Sequence, residues 1–129
     1  MTTERELPRP TEAELGILRV LWERGPSTVR EVHDILDDGT GYTSVLKLMQ
    51  IMTEKGLVVR DESQRAHVYA ARVPQQRTQR QLVRDLVDRA FGGSPARLAM
   101  QALETRKTSA AELSELRRLL DALEKEQKP

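Results

Sequence analysis

The sequence predicts a mainly α-helical chain: an N-terminal winged helix-turn-helix, three helices plus a short β-hairpin wing, followed by a C-terminal helical dimerisation region. Three observations predict it. Aromatic side chains are scarce, Trp22, Phe91, Tyr42 and Tyr69 being all of them, so the core must be Leu, Val, Ile, Ala and Met, a set that favours helix packing over a β-sandwich. Between Gly39 and Val73 a helix that is polar on one side leads through Gly56 into two short strand-like runs, the order of a recognition helix and its wing. After Pro74 the pattern is helical, with Leu stripes. With 129 residues the chain makes one domain, or a small domain with an appendage, and has no room for two compact enzymatic domains.

Residues 1 to 10 end in Leu7-Pro8-Arg9-Pro10 and read as a flexible arm. Residues 11 to 73 read as the winged-helix domain. Thr11 is followed three residues later by Glu14, so hydroxyl and carboxylate can each satisfy a free backbone donor at a helix start. Leu15, Leu18, Val20, Leu21 and Trp22 give that helix its apolar side, and Gly25-Pro26 stops it. Thr28 with Glu31 repeats the capping pattern for a second helix, whose buried face is Val29, Val32, Ile35 and Leu36. Asp37 to Gly41 ends it. The third helix buries Val45, Leu48, Met49 and Met52 and closes at Lys55-Gly56, a last-turn cation followed by a left-handed cap. Leu57 to Arg60 and Ala66 to Ala70 are strand candidates around the polar loop Asp61 to Arg65.

Residues 74 to 129 read as a helical dimerisation domain: helices over 75 to 91, from Ser94 to about Glu104, and from Ser109 to about Glu126. Leu82, Leu86 and Phe91 belong to one apolar stripe, and Leu113, Leu116, Leu120 and Leu123 to a stronger one. Such stripes have little to bury against beside a domain with its own core, so a second copy of the chain is the expected cover.

Charge does not advertise a partner. The net charge is +1, with ten Lys or Arg against twelve Asp or Glu in residues 1 to 72 and eleven against eight in the remainder. Nucleic-acid binding depends on the few cations that meet phosphates, so placement decides. The chain has no cysteine, which excludes disulfides, thiolate metal sites and thiol nucleophiles. No apolar run reaches the roughly 20 residues a bilayer span needs, and Met1 to Glu6 is too charged for a secretory signal, so a cytoplasmic protein is expected.

The candidate functional set is the polar face of the third helix. Thr43 and Ser44 offer hydroxyls to phosphates at the helix start, Lys47 reaches guanine or a phosphate, and Gln50 can make a bidentate bond to adenine. Tyr42 anchors the turn before them or touches a phosphate, Arg65 at the wing tip meets a flanking phosphate, as does Arg60, and His67 either does the same or supports the hairpin beside Tyr69. The plainer reading of the same residues is a solvated helix face and an ordinary polar hairpin. A winged-helix protein-interaction module that never meets DNA is therefore the alternative. His33, beside Asp34, has no ligand partner at metal-binding spacing and reads as surface. The acids and bases of the last helix, among them Glu112, Glu115, Arg117, Arg118 and Asp121, surround a Leu stripe and lack a nucleophile, phosphate loop or metal motif. No enzyme, metal or cofactor is expected.

An ordered series runs through the chain: Glu14-Leu15, Ile17-Leu18, Leu21-Trp22, Gly25-Pro26, Thr28 to Val32, Tyr42-Thr43-Ser44-Val45, Leu57-Val58, Arg65-Ala66-His67, Tyr69, and Phe91-Gly92-Gly93 before the Leu-rich last helix. It resembles the penicillinase repressor family of the BlaI/MecI type over nearly its whole length. That resemblance implies a homodimeric transcriptional repressor on a dyad-symmetric operator, released when a membrane sensor metallopeptidase is triggered and the C-terminal half is cut. The family's cut falls at an Asn-Phe bond, and the aligned position here is Gln101-Ala102. Family members commonly carry a basic residue where this chain has Ile51, and the copper-sensing branch uses cysteines that this chain does not have.

Overall fold

The computed structural model describes residues 6–128, so residues 1–5 of the expected arm and residue 129 lie outside the described residues. The element order is α1 (Glu12–Arg24), β1 (Ser27–Thr28), α2 (Val29–Leu36), α3 (Tyr42–Lys55), β2 (Val58–Asp61), β3 (Val68–Ala71), α4 (Gln75–Ala90), α5 (Pro95–Thr105) and α6 (Ala110–Gln127). The chain falls into two compact units that part between Val83 and Arg84, inside α4, ten residues beyond the boundary expected at Pro74.

In the first unit each capping box forms as its spacing predicts. Thr11 Oγ1 accepts from the Glu14 backbone at 3.2 Å while Glu14 Oε1 accepts from the Thr11 N–H at 2.9 Å, and Thr28 with Glu31 does the same at the same distances. Arg24, in the last turn of α1, reaches Glu31 at 2.7 Å and braces the start of α2. α3 ends on Gly56 with φ 85°, and Leu57 donates its N–H back to Met52 at 2.9 Å. A side chain at Gly56 would be strained by that φ and would meet the Arg72 guanidinium at 3.1 Å. Because Leu57 is engaged in closing the helix, the strand starts at Val58, and it continues to Asp61, whose carboxylate turns the chain by accepting from Ser63 N–H at 2.9 Å. Ala66 and His67 stay in the loop, and β3 starts at Val68.

The sheet has three antiparallel strands in the order β1-β3-β2, one more than expected: Ser27 pairs with Tyr69, and Tyr69 in turn with Arg60. The core is Ile17, Leu18 and Leu21 of α1, Val29 and Val32 of α2, Val45, Met49 and Met52 of α3, and Leu57, Val58, Tyr69 and Val73 of the wing. Leu15 and Trp22 are half-buried, with Ile17 taking the central place, and the Trp22 indole N–H donates to the Val73 carbonyl at 3.0 Å. Ile35, expected inside, is 47% exposed. Val29, Val32 and Leu36 already make the inward stripe of this short helix, and at about 100° per residue Ile35 falls roughly 90° off it.

Two long-range locks hold the ends of the unit. Leu7 packs on the core, and its N–H and carbonyl bond the Gln81 amide of α4 at 3.0 and 2.9 Å, so this part of the expected flexible arm is clasped. Glu14, 2% exposed, receives Lys55 Nζ at 2.6 Å, and the same ammonium donates to the Arg9 carbonyl at 3.1 Å. Burial alone would raise the Glu14 carboxyl; the Lys55 hydrogen bond, the Thr11 N–H and the Lys55 charge outweigh it and hold it below its ordinary 4.5. A depressed carboxyl contributes stability above its unfolded pKa and loses it as pH falls through the folded one. Glu14→Gln should therefore cost about 1–3 kcal/mol at pH 7 in urea melts, and the gap to the parent should close below the ordinary value of 4.5. A gap unchanged by acid would contradict the charged assignment.

The second unit contains the end of α4, α5 and α6. Gly92 and Gly93 take φ 60° and 81° in the turn after α4, Ser94 caps α5 ahead of Pro95, and Ser109 with Glu112 boxes the start of α6. No residue of α5 or α6 is buried.

Candidate nucleic-acid interface

α3 is amphipathic by placement. Val45, Met49 and Met52 are fully buried, and Thr43, Ser44, Lys47 and Gln50 are all exposed on the other side. The acid nearest its start is occupied. Asp38 is held below the ordinary carboxylate range by the Thr40 hydroxyl and then the Thr40 N–H, the latter at 3.0 Å. Gly41 is the N-cap, no side chain caps the helix, and its first turn has no acidic residue. The opening N–H groups of α3 thus keep their capacity for an anion, backed by the positive end of the helix dipole.

Tyr42, 38% exposed, is the hinge of this surface. The Arg30 guanidinium of α2 lies 4.7 Å from its ring centroid, and His33 meets the ring edge-on at 6.0 Å, with His33 Nδ1 3.1 Å from Asp34. Nothing local in the sequence marks Arg30 for this role. It sits twelve residues before Tyr42, and its position over the ring depends on the α2–α3 turn rather than on any local pattern. His33, read as surface, is half-buried against the same ring. Stacking fixes the plane of a side chain that is otherwise long and mobile, which pre-orients its N–H donors.

On the wing, Arg65 and His67 are exposed in the loop between β2 and β3. Arg60 is differently placed: the Tyr69 hydroxyl and Glu62 hold it, and both raise its pKa, so it braces the hairpin. Lys55, the last-turn cation of α3, is turned to Glu14. The cations offered outward near α3 and the wing are therefore Arg30, Lys47 and Arg65, and exposed Glu54 is the one acid on the outer side of α3.

The residues expected at a dimer face are exposed or half-buried. Leu82 is half-buried and Leu86 exposed on α4; Phe91 is half-buried in the turn after it; on α6 Leu116 is half-buried while Leu113, Leu120 and Leu123 are exposed. Gln101 and Ala102 are exposed within α5, in helical conformation. Among the described residues no helix is long and apolar enough to cross a membrane.

Residues 10–122 match a family model described as the penicillinase repressor. Two curated relatives, each a transcriptional regulator BlaI of Mycobacterium tuberculosis, from strains CDC 1551 / Oshkosh and ATCC 25618 / H37Rv, are 37% identical over 68 residues. The match takes in 50% of this chain and 49% of each relative, so it spans about half their length. Among solved structures, the solution structure of the DNA-binding domain of the repressor BlaI matches with a TM-score of 0.50 at 18% identity, over 57% of this chain and 93% of that one, a likeness of fold.

Proposed function

This chain belongs to the penicillinase repressor family, and from that premise we propose that it is a DNA-binding transcriptional repressor that acts as a homodimer on a dyad-symmetric operator. The observation that carries the reading is the arrangement of α3, with Thr43, Ser44, Lys47 and Gln50 exposed opposite the buried Val45, Met49 and Met52. A helix about 10–12 Å across with its side chains fits a major groove about 12 Å wide. Thr43, Ser44 and the uncapped N–H groups of the first turn meet a phosphate, Arg30 on Tyr42 meets the same strand, Lys47 and Gln50 reach base edges, and Arg65 and His67 carry the wing onto the flanking backbone.

Dimerisation completes the site. One winged helix makes few base contacts, and two held together convert the second binding event into an intramolecular one. The second unit supplies the cover for its own exposed stripes, Leu113, Leu116, Leu120 and Leu123 pairing with a second copy. Half-sites then lie roughly 34 Å, or a multiple, apart. Repression is steric, by occupation of a promoter in the cytoplasm, and the chain has no catalytic part in it. Release follows proteolysis in the second unit by a membrane sensor metallopeptidase. Gln101-Ala102 lies inside α5, so a cut there requires local opening of that helix.

The test is selection of duplexes from a random DNA pool at near-physiological salt, with the stoichiometry of the winning complex measured. A two-fold symmetric motif bound by two chains is expected. Lys47→Ala should weaken binding to it about tenfold and, if Lys47 meets a phosphate, reduce the salt slope by about 0.9 for each half-site of the dimer. Recovery of no motif would transfer the α3 face to a protein partner instead.

A further inference from the structure

α3 carries an exposed apolar side chain on its polar side. Ile51 is 37% exposed and takes no part in the core, which α3 already serves with Val45, Met49 and Met52 and, half-buried, with Leu46 and Leu48. At about 100° per residue, Ile51 stands roughly 50° from the middle of the outward face. Lys47 is one turn before it and Ser44 two turns before it on the same side. Tyr42, the other exposed large hydrophobic of this helix, has its ring engaged by Arg30 and His33. Among the described residues no such partner engages Ile51, and the other exposed positions of this part of α3 on the same side, Lys47, Gln50 and Glu54, are hydrogen-bonding residues.

A major groove presents donors and acceptors on every base pair, and one apolar group, the C5-methyl of thymine. An aliphatic side chain among polar readers fits that group and no other on the groove floor. We infer that Ile51 is a specificity-determining residue that reads a thymine methyl in each half-site. The inference rests on the DNA-binding reading above. It adds a contact of a different kind from those of Lys47 and Gln50: apolar, made without a hydrogen bond and, unlike that of Lys47, independent of salt.

The experiment uses the full-length protein and its selected operator, with each thymine replaced in turn, symmetrically in the two half-sites, by deoxyuridine, which lacks only the methyl. At one position the parent protein should lose about fourfold in affinity per half-site, the worth of one buried methyl-sized group. Ile51→Ala should bind the thymine and deoxyuridine versions of that site equally, with the salt dependence of the parent. Reselection with Ile51→Gln should return a motif that has lost its thymine at that position and is otherwise unchanged. A parent protein indifferent to every replacement, or an Ile51→Ala protein that keeps the full sensitivity, would overturn the inference while leaving DNA binding intact. A parent that binds no duplex at all would remove the DNA-binding reading, and this inference with it.

Discussion

Leu120→Glu should abolish the proposed dimer and weaken operator binding by about a hundredfold or more. Leu113, Leu116, Leu120 and Leu123 recur at spacings of three and four along α6, the seam of a helix that packs against another helix. Leu120 is 58% exposed in the single chain. A carboxylate placed there is solvated in the monomer and must be desolvated in the dimer, so it acts on association and leaves folding of the chain alone. The readouts separate cleanly. Molar mass by light scattering reports the assembly, and the lone Trp22, whose indole N–H is bonded to Val73 in the first unit, reports by fluorescence that the winged helix is intact. A variant that stays dimeric would show that a different surface holds the copies together. A monomer with undiminished operator affinity would show that symmetry contributes nothing to recognition.

Met49→Ala should destabilise the first unit by about 2–5 kcal/mol, the cost of an unfilled space in a packed core. Met49 has no exposed surface, lies midway along the buried side of α3, and belongs to the cluster that includes Ile17, Val32 and Tyr69. The helix that presents Lys47 and Gln50 outward is held in place by this side chain, so the variant should lose operator binding through unfolding well below the parent's melting temperature. At roughly 4–8 °C per kcal/mol for a domain of this size, the transition followed by Trp22 fluorescence should fall by 10 °C or more. A shift of only a degree or two would mean that the core closes over the gap and that α3 is positioned mainly by its ends.

Features set by neighbours in sequence were legible before the structure. Thr11 with Glu14 and Thr28 with Glu31 are three residues apart, and the reciprocal bonds they make depend on nothing further away. Gly56 after Lys55 is likewise a local signal for a left-handed cap. Strand β1 was not legible, because Ser27 and Thr28 carry no alternation and pair only once Tyr69 and Val68 arrive beside them. Ile35 and Leu36 are both aliphatic, and only the exact rotation of a short helix decides which one turns inward. The polar set on α3 was readable from spacing, but Arg30 over Tyr42 and Lys55 turned inward to Glu14 were not, since each joins residues from different elements. Long side chains choose partners in three dimensions, and composition gives no hint of which cation is spoken for.

The clasp between Leu7 and Gln81 bears on the order in which the domain assembles. Its two hydrogen bonds join residues 74 positions apart. Loop-closure entropy grows with the logarithm of such a separation, so contacts this distant form after the local turns and hairpins that shorten the path between them. During synthesis the segment around Leu7 leaves the ribosome before Gln81 and waits for it to emerge. Its protection from hydrogen exchange or proteolysis therefore marks the completion of the fold rather than its start, and a chain ended at Val73 would never reach that final step.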